Sequence, residues 1–285
     1  MKLFGPIPVV LGSTVLIAGI AGCGSGASIS TPGPPSAPPI TSSECKGSVS
    51  RVAGPTATSN VAGISVAGTV MAGTVPLAGA SVQLYAAGSA GNGSTATALG
   101  SAITTGTTGA FSIPAGYTCP FNLSTLYVVA RGGKTSPTGP TNPGIVLMAA
   151  LGECNSISGS ANFAVNEATT VASAYALAQF LSTGGNVGAS ATNFSGLSLA
   201  AGSEANLVNV ATGQAPGANF PATGTAPTPI LNALADTLNA CIVSTNASSP
   251  ACTGLYSATT VSGSTPSNTL DAMVNLARHP ATSAA

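Results

Sequence analysis

Glu167 and Asp236 are the two carboxylates of this chain that could act as a catalytic pair, one protonating a leaving oxygen while the other attacks or activates water, as in glycoside hydrolysis. The simpler reading of each is structural. Glu167 is a charge at an expected helix start, and Asp236 lies on a solvated helix face. The other carboxylates, Glu44, Glu153, Glu204 and Asp271, stand isolated in the sequence. A metal site needs several ligands that converge, and no such cluster is spelled out. The single histidine, His279, sits beside Pro280, with Asp271 two turns earlier on the same expected helix. A Ser-His-Asp arrangement would need that imidazole buried beside a nucleophile, and the chain contains no GxSxG elbow. "GNGSTATALG" (91–100) is glycine-rich but lacks a following lysine and helix, so it reads as a hairpin loop and not a phosphate cradle. The expectation is a chain that is not an enzyme, with no catalytic residues, no cofactor and no metal.

Composition narrows the partners. Only 4% of the 285 residues are charged, with six acidic and six basic side chains; soluble domains usually carry roughly 25%. Nucleic acid is excluded as a partner, because phosphate neutralisation needs clustered Lys and Arg. Ala, Gly, Ser and Thr dominate, which gives a neutral, hydroxyl-rich surface.

The N-terminus suggests an address. After Met1-Lys2 comes an uncharged, largely apolar run, Leu3 to Gly22. It is long enough to span a bilayer, but "GPIP" and "LGST" make it a poor permanent helix. Ile20-Ala21-Gly22-Cys23 resembles a bacterial lipobox: an aliphatic residue, two small residues, then a cysteine that is lipidated and becomes the new N-terminus. An ordinary secretory signal and an uncleaved anchor are the alternative readings. Acyl chains contribute about 0.8 kcal/mol per buried CH2, so several on one residue hold it firmly in a membrane. Gly24, where a retention signal would have Asp, implies the outer membrane. The expected layout is therefore a signal peptide at 1–22 and a lipidated tether at 23–45. "SGASISTPGPPSAPPITSSE" (25–44) is too rich in Pro, Ser and Gly to bury a core and favours an extended, semi-stiff conformation.

Residues 46–135 read as an antiparallel β-sandwich. Ile64, Val66, Gly68 and Val70 alternate along one face, as do Val82, Leu84 and Ala86, and Phe111 with Ile113. "TLYVVARGG" (125–133) is a β-branched and aromatic run, and Gly, Pro and Thr separate the segments. The wording here also resembles carboxypeptidase regulatory-like or Cna-B-like modules. "AGTVMAGTVPLAGASVQLYAAG" (67–88), "SAITTGTTGAFSIP" (101–114) and "LYVVARGG" (126–133) carry that likeness. It implies a transthyretin-like (prealbumin or Ig-like) sandwich serving as stalk, spacer or accessory binding surface, without catalytic residues.

Residues 136–285 read as a linker and a small helical domain. "TSPTGPTNPG" (135–144) has linker composition, yet the apolar run 145–151 follows at once and must be buried, as an added strand or a short helix on the sandwich. Helices are expected at 166–185, with Val171, Tyr175, Ala178 and Leu181 as its stripe, and, with Gly202 inside, at 198–213. Two more are expected at 228–242, capped by Thr228, and at 267–280. Cys241 and Cys252 bracket a polar loop and are paired; Cys119 and Cys154 are paired, tying sandwich to helices. Cys45 is left over: free, mispaired in this scheme, or linked to another chain. A broader resemblance rests on "YTCP" (117–120), "LMAALGEC" (147–154), "NEATTVASAYALAQF" (166–180), "LADTLNACI" (234–242) and "ARHP" (277–280). It is to large secreted bacterial proteins in which such modules precede a β-propeller, and it implies a stand-alone stalk or a piece of a longer chain.

The fold class expected is thus α+β, an antiparallel sandwich followed by a disulfide-stapled helical domain. The function expected is a non-catalytic, lipid-anchored protein of the bacterial cell envelope or its surface, acting as stalk, adhesion or assembly module. Its partners would be the membrane, through Cys23, and a surface protein or polysaccharide. The alternative is an accessory or truncated part of a secreted hydrolase or carbohydrate-binding protein.

Overall fold

The computed structural model describes residues 59–280, apart from Ser160. Within that span the chain is mixed α+β, and all of it belongs to one compact unit. The signal, the tether, Glu44, Cys45 and the lipidation residue Cys23 lie outside the described residues.

Ten strands come first: β1 (Ser59–Ala62), β2 (Val66–Ala72), β3 (Val75–Pro76), β4 (Ser81–Ala86), β5 (Thr97–Thr104), β6 (Ala110–Ile113), β7 (Thr118–Phe121), β8 (Thr125–Arg131), β9 (Val146–Glu153) and β10 (Asn162–Val165). One four-stranded sheet runs β5-β4-β8-β9, antiparallel throughout. The other is centred on β2, which pairs antiparallel with β3 and β6 and parallel with β10. β1 and β7 form a separate antiparallel ribbon.

The alternation read from sequence is what the strands bury. Val66, Gly68, Val70 and Ala72 of β2 point inward, as do Val82, Leu84 and Ala86 of β4. Gly68 is required there: a Cβ would fall 2.1 Å from the carbonyl oxygen of Phe163 in β10 and 2.7 Å from the Phe111 ring of β6. β8 and β9 behave differently. Both are apolar on both faces and buried on both, so another layer must cover them.

That layer is helical: α1 (Glu167–Ala176), α2 (Phe194–Leu207), α3 (Thr228–Ile242), α4 (Pro250–Ala258) and α5 (Thr269–Arg278). Helices α1, α2 and α5 pack on β9. Residues of both large sheets and of the helices, among them Val66, Leu84, Val128, Val171, Leu238 and Met273, join one continuous hydrophobic core. The apolar run after the proline-rich linker is β9, an added strand beside β8, and β10 joins the other sheet. Strands from beyond residue 136 therefore complete both sheets.

Several helix details depart from the sequence expectation. α1 stops at Ala176, so Gly184 and Gly185 do not end it; they form a positive-φ tip in the loop that follows. Its buried face centres on Val171, Ala172 and Ala174, and Tyr175 is exposed. α2 starts at Phe194 and ends at Leu207. α3 matches 228–242, but Thr228 is its first residue and makes no side-chain cap, and Ile230 is 65% exposed. The loop between Cys241 and Cys252 leads directly into α4, a helix the sequence reading left out; Ser249 caps it and Pro250 opens it.

Both expected disulfides are present. Cys119 of β7 joins Cys154, the first residue of a single 3-10 turn after β9, and Cys241 at the end of α3 joins Cys252 of α4.

Candidate functional site

The carboxylates are dispersed through the fold, and most of them hold backbone. Glu167, at the first turn of α1, is buried; its two oxygens accept from the Gly73 N–H at 3.0 and 3.1 Å, and Oε1 accepts from Asn239 Nδ2 at 2.6 Å. It thereby joins α1 to the β2–β3 turn and to α3. Burial pushes its pKa up, against the pull of these hydrogen bonds, and nearby Asp236 adds to the rise. Asp236 itself is exposed on α3. The pair considered from sequence is thus one buried, hydrogen-bonded carboxyl and one solvated carboxylate. Neither lines the two cavities described below.

Asp271, in the first turn of α5, accepts from Gly184 N at 2.9 Å and from Asn268 Nδ2 at 2.7 Å. His279 stands at the opposite end of that helix, as its C-cap. Around residues 177–188 two arginines do similar work. Arg131 donates to Gly184 O at 2.5 Å, and Arg278 donates to Ala178 O at 2.8 Å and to Leu181 O. The Tyr127 hydroxyl donates to Gly185 O and accepts from Val187 N.

Three side chains that the sequence does not single out close the free edge of β9. Among the described residues β9 pairs only with β8, so alternate N–H groups face the helices. Val146 N donates to Thr269 Oγ1 of α5 at 2.9 Å, Met148 N to Thr170 Oγ1 of α1 at 3.0 Å, and Ala150 N to Glu204 Oε1 of α2 at 2.9 Å. Thr269 also donates to Val146 O at 2.7 Å, as a neighbouring strand would. Glu204 is fully buried, and burial pushes its pKa up to about 8, with the hydrogen bond from Ala150 N opposing the rise. It is therefore largely protonated at neutral pH. Its lone position in an otherwise uncharged helix was the one signal that could have marked it.

Two cavities lie on either side of Thr125, the first residue of β8, with α2 contributing to both. The larger, about 560 Å³, is walled by Ala87, Phe121, Leu123, Ala189, Phe194 and Leu197, with hydroxyls from Ser89, Thr95, Thr97, Ser124 and Thr125. No ionisable residue lines it. The smaller, about 370 Å³, is bordered by Glu153 and by Ser198, Ala201 and Ala205 of α2. Here Ser198 Oγ donates to Glu153 Oε1 at 2.6 Å, so this carboxylate too is engaged. The "GNGSTATALG" stretch (91–100) covers the end of the β4–β5 connection and the first half of β5, and its Thr95 and Thr97 line the larger cavity. Among the described residues there is no grouping of three or more His, Cys, Asp or Glu that could hold a metal ion. No helix among them is long and apolar enough to cross a membrane.

No protein family, curated protein or solved structure matches this chain.

Proposed function

We propose that this chain is a non-catalytic, lipid-anchored protein of the bacterial cell envelope, in which the disulfide-linked fold is a stalk, adhesion or assembly module held off the membrane by a proline-rich tether. The Ile20-Ala21-Gly22-Cys23 motif, followed directly by that tether, carries the reading. Gly24 after the cysteine favours the outer membrane. In this reading the two sheets are the β-sandwich of a transthyretin-like stalk, with the helices built onto one face.

The folded part lends support through the use it makes of its charges. Glu167, Glu204, Asp271, Arg131 and Arg278 all bind backbone groups of neighbouring segments. An electrostatic inventory devoted to holding loops and strands suits a rigid display module.

Expression in a bacterial host with radiolabelled palmitate tests the anchor. The wild-type chain should incorporate label and sediment with membranes, and Cys23→Ala should lose the label and either stall in processing or appear in the soluble fraction. Unchanged labelling and membrane retention in Cys23→Ala overturns the reading.

A further inference from the structure

We infer that the larger cavity beside Thr125 is a binding site for a small uncharged molecule with a hydrocarbon body and a single hydroxyl or carbonyl group. This inference does not depend on the lipid anchor.

The volume comes first. About 560 Å³ lies within the range of about 300–1,000 Å³ that small-molecule pockets occupy. The wall is preformed. The β4–β5 connection is bonded to the segment after α1 through Gly88 N to Val187 O, Ala189 N to Gly88 O, and Gly93 N to Gly188 O. These contacts are close: a Cβ on Gly188 would fall 2.3 Å from Ser94 Oγ. The cavity therefore does not have to be assembled by its ligand, which lowers the cost of ordering on binding.

The lining selects the ligand. Phe121, Leu123, Phe194 and Leu197 offer apolar surface, and no lysine, arginine, histidine, aspartate or glutamate reaches it. An ion placed there would lose hydration without gaining a counter-charge, so charged ligands are disfavoured. One polar requirement remains. Thr125 is 2% exposed, it lines both cavities, and its Oγ1 is buried without a hydrogen-bond partner. A buried hydroxyl left unpaired is costly, and a turn of the Thr125 side chain about χ1 that brings Oγ1 onto a ligand hydroxyl or carbonyl in the cavity removes that cost. Ser124, the neighbouring hydroxyl, already accepts from Phe121 N at 3.0 Å. Thr125 is thus the anchor, and one polar atom on the ligand is what it can satisfy.

The test uses the full chain and the neutral fluorescent probe N-phenyl-1-naphthylamine, displaced by 1-octanol, octane or octanoate. The probe should bind saturably, and 1-octanol should displace it better than octane or octanoate. Ala191→Trp places a large ring at the exposed mouth and should weaken probe binding by at least about tenfold, while thermal melting stays unchanged. Thr125→Val keeps the shape and removes the hydroxyl. It should weaken 1-octanol by about two- to tenfold and leave octane unaffected. Absence of saturable binding, or a signal insensitive to Ala191→Trp, overturns the site. Displacement by octanoate as effective as by 1-octanol overturns the neutral class, as does displacement by cellobiose. Equal effects of Thr125→Val on octanol and octane overturn the anchor.

Discussion

Glu204 Oε1 accepts a hydrogen bond of 2.9 Å from the backbone N–H of Ala150, across 54 positions of sequence. A buried carboxyl therefore stands where a further strand would place a carbonyl. Thr170 and Thr269 repeat the device at Met148 and Val146. An unpaired strand edge is a template for association, and these three side chains close this one with helices.

The proton on Glu204 makes stability depend on pH. Folded, this carboxyl titrates at about 8, against an ordinary value of 4.5. Between those values the folded chain binds more protons than the unfolded one, so stability falls as pH rises. The contribution is complete below about pH 4.5 and is lost as pH passes through about 8. Glu167 shifts in the same direction. The melting temperature should fall between pH 5 and pH 9. Glu204→Gln, which keeps an acceptor for Ala150, should flatten much of that slope and melt above wild type at pH 9. A melting temperature that rises with pH over this range would contradict the assignment.

Loss of the edge covers should expose β9. Thr170→Val and Thr269→Val keep the side-chain shape but leave Met148 N and Val146 N unpaired, each at a cost of about 1–3 kcal/mol in urea unfolding. Combined in one chain, they should also promote self-association, visible by sedimentation velocity. A double variant as stable and as monodisperse as the parent would show that the edge needs no cover.

The two disulfides should contribute unequally. Closing 35 residues between Cys119 and Cys154 corresponds to about 4 kcal/mol on the chain-entropy scale. Closing 11 residues between Cys241 and Cys252 corresponds to about 3 kcal/mol. Cys119→Ala paired with Cys154→Ala should therefore lower stability somewhat more than the double alanine at 241 and 252. Non-reducing peptide mapping should recover these two links and no cross-link between the sets.

Unfolding should be a single event. One core runs through both sheets and the helices, and β9 and β10 complete sheets begun before residue 135. A chain ending at Gly139 lacks both strands and Cys154, and should be poorly folded and aggregation-prone. Calorimetry of the intact protein should show one transition. Two well-separated transitions, or a stable truncated chain, would mean independent modules.

The parts of this fold legible in the sequence are those whose signal is local. Val66, Val70, Val82 and Leu84 alternate because their strands have one inner face, and Leu231, Leu238 and Ile242 recur because α3 has one buried stripe. β10 was not legible: "NFAV" acquires meaning only by lying parallel to β2, about a hundred positions earlier. α4 was hidden by the polar stretch before it, although Ser249-Pro250 and the spacing of Cys252, Leu255 and Tyr256 carried a helical signal. The candidate cavity was not legible at all. Its wall is drawn from the β4–β5 connection, β5, β7, β8, the segment after α1 and the start of α2, and Thr125 is distinguished only by what fails to reach it.

The ribbon of β1 and β7 sets the path that mechanical load takes through the molecule. Val61 of β1 lies opposite Cys119 of β7, and Cys119 is bonded to Cys154 at the end of β9. Tension applied at Ser59 enters through β1 and divides: part runs along the backbone of residues 63–65 into β2, and part crosses a few hydrogen bonds into β7. The second part then passes through a covalent link to the strand that three helices grip. The weak element is the short ribbon: once its hydrogen bonds part, the load falls on β2 inside its sheet. Under a pull from its N-terminal side, the protein would yield first by a few residues of slack, like a shock absorber in front of a rigid body.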